Sequence, residues 1–173
     1  MNINYFFVAA SACLFMILFL FKPLEIKEQL FVDVPLFSIS SFTMYEFDTK
    51  GLITLMNGDK ATRYKDRYAV EKIDYTDSSK KYRANMKSDN GIYKDEIVYL
   101  DGNIIYARED GLTFETQKAT YNKKTSLAVA EGNFVLYQDK NRVEGKALKY
   151  NSSSEKIESK NVTAKYNLKE RSR

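Results

Sequence analysis

Three tyrosines, Tyr93, Tyr121 and Tyr150, stand 28 and 29 residues apart and close the segments Asn90-Gly91-Ile92-Tyr93, Lys118-Ala119-Thr120-Tyr121 and Ala147-Leu148-Lys149-Tyr150. About ten residues after each comes a second shared feature: Asp101-Gly102-Asn103-Ile104, Glu131-Gly132-Asn133-Phe134 and Ser159-Lys160-Asn161-Val162. A period of this length marks a tandem supersecondary unit, here read as two strands and two turns. One such unit cannot bury its own apolar face, so the units must stack into a long twisted β-sandwich or solenoid-like sheet.

Local patterns agree with strands. Tyr, Val, Ile, Phe and Thr recur in short runs without long stripes of helical period, and no proline follows Pro35. Asn57-Gly58, Asn90-Gly91, Asp101-Gly102 and Asp110-Gly111 supply residues that tolerate positive φ, and they are expected to be turns between the runs. Alternation places Leu112, Phe114 and Thr116 on one face, Phe134 and Leu136 opposite Val135 and Tyr137, and Val143, Gly145 and Ala147 together. Leu127 and Val129 face away from Ala128 and Ala130. The result is a sheet with one apolar face and one Lys/Glu/Tyr face, and the apolar side must be covered by a second sheet or a ligand.

The amino terminus is different. The first 21 residues contain no Lys, Arg, Asp or Glu, and Tyr5 to Phe21 is apolar except for Ser11. Seventeen residues at helical rise span roughly 25 Å, the short end for crossing a hydrocarbon core. Residues 1–4 lack the basic region of a signal peptide, and Leu18 to Phe21 lack a small-residue cleavage site. The expected organisation is therefore an amino-terminal end and single transmembrane anchor over 1–22, then a linker and first strand region over 23–42. A β-domain over 43–168 and a basic tail over 169–173 complete the chain. Lys22 and Lys27 flank the anchor on its carboxyl side, and charge alone does not settle orientation.

Composition closes several chemistries. Histidine is absent and Cys13 is the single cysteine, so neither a His-dependent nucleophile nor an ordinary zinc site can be assembled. A net charge of +4 is far below that of a nucleic-acid-binding face. Asp95-Glu96 and Glu115 with Glu131 could be drawn as acid/base pairs, but nothing fixes their separation and a charged surface supplies many such pairs. No enzymatic activity, cofactor or metal is expected.

With its apolar anchor, its single β-domain and its repeated Gly-Asn-apolar motif downstream of Tyr, the chain resembles the LptC family of lipopolysaccharide export proteins. The repeat is similar to that shared by LptC, LptA and the amino-terminal domain of LptD, most clearly from about Asp89 to Tyr166. The resemblance implies an all-β fold, a twisted antiparallel β-jellyroll of two sheets open along one side. It also implies an inner-membrane anchor that holds the domain in the periplasm. The domain would accept lipopolysaccharide from the LptB/LptF/LptG transporter and pass it to LptA.

Under that reading Leu112, Phe114, Leu127, Val129, Phe134, Leu136 and Val143 are candidates to line a lipid groove. Ordinary sandwich core explains the same seven residues, because alternation finds an inner face but does not separate groove from core. Val162, Ala164 and Tyr166 on the last strand are the candidate docking edge for LptA, through strand addition. Lys80, Lys81 and Arg83, Lys123 and Lys124, and Lys140 with Arg142 are basic clusters that suit either lipid phosphates or a solvated surface. The rival reading is a bitopic envelope scaffold that binds proteins through its strand edges without lipid.

Overall fold

The computed structural model describes Met16 and residues 33–49, 51–154 and 156–167. The chain divides into two compact units, Met1–Phe31 and Val32–Arg173. Apart from Met16, the expected anchor lies outside the described residues, as does the basic tail. Among the described residues, no helix is long and apolar enough to cross a membrane.

Among the described residues, the second unit is one antiparallel sheet of nine strands in simple sequence order. The strands are β1 (Phe37–Asp48), β2 (Gly51–Arg63), β3 (Tyr68–Asp77), β4 (Ala84–Lys94), β5 (Ile97–Arg108), β6 (Thr113–Asn122), β7 (Leu127–Gln138), β8 (Asn141–Asn151) and β9 (Lys156–Lys165). The sequence reading anticipated the all-β antiparallel class, but the strands are about twice as long as its short runs. Asn57-Gly58, Asn90-Gly91 and Asp101-Gly102 lie inside β2, β4 and β5, and of the four Asx-Gly pairs Asp110-Gly111 alone is a turn between strands. The β4–β5 hairpin instead turns on Asp95 and Glu96, with φ of 50° and 64°, the two-residue geometry with positive φ at both positions.

The reason is that a β-bulge and a tight turn ask the same thing of the backbone: a residue at positive φ. Mid-strand residues Ser41, Lys72, Asn103, Ala147 and Asn161 have φ between 47° and 54°, and Gly102 and Gly132 have φ of 85° and 89°. The register shifts at the same level, between Lys87 and Asn90, Asp101 and Ile104, Thr116 and Lys118, and Ala130 and Asn133. These positions align across the sheet as a crease that divides each strand into two halves. The Gly-Asn motifs of the repeat therefore bend strands, where the sequence reading had them end strands.

A bulge releases carbonyls from the ladder, and each needs another donor. Buried Ser88 donates its Oγ to the carbonyl of Asn90 at 2.9 Å, and buried Thr116 donates Oγ1 to that of Asn133 at 3.0 Å. On the outside of the crease Asp89 joins three strands. It accepts from Lys72 Nζ on β3 and from Asn103 Nδ2 on β5, both at 2.7 Å. Those two donors hold its carboxyl below the usual carboxylate range.

Candidate functional site

Registers fix which side chains share a face, since directly paired residues point the same way. One row crosses all nine strands just beyond the crease: Met44, Met56, Tyr75, Met86, Tyr106, Phe114, Leu136, Val143 and Ala164. No member carries a charge. The row displaced by one residue, on the opposite face, runs Thr43, Asn57, Asp74, Lys87, Ile105, Glu115, Val135, Glu144 and Thr163. It is mostly polar and includes an ion pair from Lys87 Nζ to Asp74 Oδ2 at 3.1 Å.

The apolar face is the one that folds inward. Burial pushes the hydroxyl of Tyr106 on β5 above the ordinary tyrosine range. Ile73, Ile104 and Phe134 on one side of the crease and Ala130 on the other are all buried. A single open layer cannot cover them, so the two halves of the sheet fold toward one another over the crease as facing walls. The second wall presents Ile39, Ala61, Val70, Gly91, Leu100, Ala119, Ala130 and Leu148 in one row.

Apolar burial centres on the crease. Among the described residues the buried apolar side chains are Ile73, Ile104, Ala130 and Phe134, and no large side chain is completely enclosed. Along the nine-residue row the seven members from Met56 to Val143 are half-buried, and Met44 and Ala164 at its ends are exposed. An inner face with an uncharged central row, packed at its floor and open along its walls, is a trough, where an ordinary sandwich would interdigitate and close.

The candidate residues divide accordingly. Phe134 is 3 % exposed at the crease. Its ring stacks on Phe114 at 5.8 Å between centroids and lies over Gly145, where an added Cβ would come within 2.8 Å of it. Phe114, Leu136 and Val143 belong to the trough row, and half-buried Leu112 sits just before β6, its carbonyl accepting from the Arg108 amide at 2.8 Å. Leu127 and Val129 do not join them. Val129 pairs with Thr120 and Lys149 in an outer row that includes Tyr99, 43 % exposed. Leu127 lines a shallow surface depression with Lys149, Asn151, Lys156 and Glu158. Their smaller neighbours Ala128 and Ala130 face inward instead.

Val162, Ala164 and Tyr166 are exposed, the first two on the terminal strand β9 and Tyr166 just after it. Several cations of the basic clusters are engaged nearby: Lys123 Nζ lies 4.8 Å from the centre of the Tyr93 ring, and Arg142 donates to Glu144 and, at 2.6 Å, to the Tyr137 hydroxyl. Met44, Met56, Tyr75, Met86 and Tyr106 are trough residues that the sequence reading did not single out. Their shared face shows only in the register, because no local motif links residues spread over β1 to β5.

A creased antiparallel meander enclosing an open apolar trough defines a class, the open β-jellyrolls. The solved structure of LptH from Pseudomonas aeruginosa, described as the LptA homologous periplasmic component of the conserved lipopolysaccharide transport device, is similar in fold. The likeness has a TM-score of 0.51 at 11 % identity and covers 76 % of this chain and 94 % of that one. Comparison with curated proteins gives no match. The family profile described as lipopolysaccharide-assembly, LptC-related, matches residues 6–167. The chain belongs to that family, and its role is accordingly one in lipopolysaccharide transport.

Proposed function

We propose that this chain is an inner-membrane-anchored, periplasmic lipopolysaccharide-binding protein that accepts its ligand from the LptB/LptF/LptG transporter and passes it to LptA. The observation that carries this reading is the uncharged row running unbroken from Met44 to Ala164 and left half-open along its length. Acyl chains gain about 0.8 kcal/mol per methylene withdrawn from water, so a dry trough several strands long holds them without a closed pocket. A trough open at both ends of the sheet lets a chain slide from one module to the next without crossing water.

Phe114, Phe134, Leu136 and Val143, with Leu112 at the rim, are the lipid contacts of this proposal from the original set; Leu127 and Val129 are left out because they lie on the outer face. At the far edge Val162, Ala164 and Tyr166 offer a strand to LptA, which would extend the trough through a shared sheet. The protein-only scaffold reading has no use for an open interior lined by a continuous uncharged row. Mass spectrometry of the intact protein, purified gently from membranes, tests the proposal. Co-purified lipopolysaccharide supports it, and an unliganded protein that fails to bind added lipid A overturns it.

A further inference from the structure

The trough row is chemically uneven. Cys13 lies before the sheet, and apart from Met1 and Met16 the remaining methionines are Met44, Met56 and Met86, so these three hold all the sulfur of the sheet. Though 12 and 30 residues apart in sequence, they fall in the same inner row. Met44 pairs directly with Met56, Met56 with Tyr75, and Tyr75 with Met86. The β5–β8 part of the row is Tyr106, Phe114, Leu136 and Val143, with no sulfur. None of the three thioethers is sealed away: Met44 is 51 % exposed, and Met56 and Met86 are half-buried.

We infer that Met44, Met56 and Met86 form an oxidation-sensitive segment of the trough, a modification site at which a peroxide converts the β1–β4 end from apolar to polar and weakens its hold on hydrocarbon. The inference rests on the lipid-binding reading above. In the reaction a sulfur lone pair attacks one peroxide oxygen, the O–O bond breaks, and the sulfoxide S–O bond forms as the second oxygen leaves as water. Sulfur is oxidised by two electrons and the peroxide is reduced by the same two. Methionine sulfoxide is polar and a strong acceptor, and it disrupts methionine-lined contacts. An acyl chain beside it offers no donor, so each ligand that enters buries an acceptor unsatisfied.

The test uses the full chain in detergent, hydrogen peroxide as oxidant, and a fluorescent lipid A analogue as probe. Sulfoxide at each methionine is quantified by peptide mass spectrometry, with and without bound lipid. The companion is the triple variant Met44→Leu, Met56→Leu, Met86→Leu, which nearly conserves volume and should fold. Binding before and after oxidation is compared within each protein, so any effect of the substitutions themselves cancels. Oxidation should weaken wild-type binding by about tenfold, as expected for one unsatisfied polar group, and leave the variant unchanged. Bound lipid should slow oxidation of Met56 and Met86. Oxidised wild type that binds as tightly as untreated protein, with sulfoxide verified at the three sites, overturns the inference while the lipid-binding reading stands. If the untreated protein binds no probe, both fall together. Should the variant misfold, the site-resolved protection measured on wild type alone still decides: oxidation at equal rates with and without bound lipid overturns the inference.

Discussion

Replacing Phe134 by alanine separates the packed floor of the trough from its open walls. Phe134 is 3 % exposed, stacks on Phe114, and covers a glycine that would otherwise leave bare backbone. Truncating a buried phenylalanine costs about 3–5 kcal/mol, through lost transfer free energy and the cavity left behind. The open trough beside the ring lets neighbours and water relax into that cavity, so about 3 kcal/mol is expected. For a sheet of this size that corresponds to a fall in Tm of roughly 12 °C. Leu136, one step up the wall and half-buried, has less to lose, and Leu136→Ala should cost about 1.5 kcal/mol. Urea unfolding of the detergent-solubilised chain, followed by far-ultraviolet circular dichroism, measures both. Equal losses at the two positions, or a loss under about 1 kcal/mol at Phe134, would refute the division into packed floor and open wall.

Other substitutions probe the same geometry. Gly91→Ala places a Cβ 2.3 Å from Ile73 Cδ1, a buried side chain with little room to move, and should destabilise by about 1–3 kcal/mol. Gly132→Ala meets nothing within 4 Å, and its cost of about 1–2 kcal/mol comes from the backbone at φ of 89°, so chemical denaturation should find both variants weaker for different reasons. Because the Asp89 carboxyl titrates below its ordinary value, its stabilisation is full above the usual carboxylate range and fades as pH falls through the lowered folded value. Asp89→Asn should therefore lower stability at pH 7 and flatten the acid limb of the stability profile; an unchanged acid limb would remove Asp89 from the crease. Val162→Lys with Tyr166→Lys, both exposed on or beside the edge strand, should leave stability within about 0.5 kcal/mol yet abolish LptA capture in a pull-down.

The strand content was legible in the sequence because β-rich runs, turn residues and missing proline all pointed one way. What escaped was the crease. Positive φ serves turns and bulges alike, so Gly102-Asn103 and Gly132-Asn133 looked like strand ends, and only pairing with neighbours shows that β5 and β7 run through them. The same ambiguity bears on which side chains face inward. With β7 divided at Gly132, the larger side chains Leu127 and Val129 looked like the inner face. In the continuous strand Ala128, Ala130, Phe134 and Leu136 face inward, and the small alanines form the opposing wall. The shared face of Phe114, Leu136 and Val143 is legible in the sequence because all three lie on one side of the crease, within strand halves where alternation holds. The methionines escaped because their neighbourhood is built by register across β1 to β4, which no short segment encodes.

Photo-crosslinking from single positions in living cells tests the trough most directly. A crosslinker at Met86, Phe114 or Leu136 should capture lipopolysaccharide, and one at Lys87, Glu115 or Val135, each one residue away on the opposite face, should not. Comparable capture from both sets, or from neither, would contradict the trough as the path of the lipid.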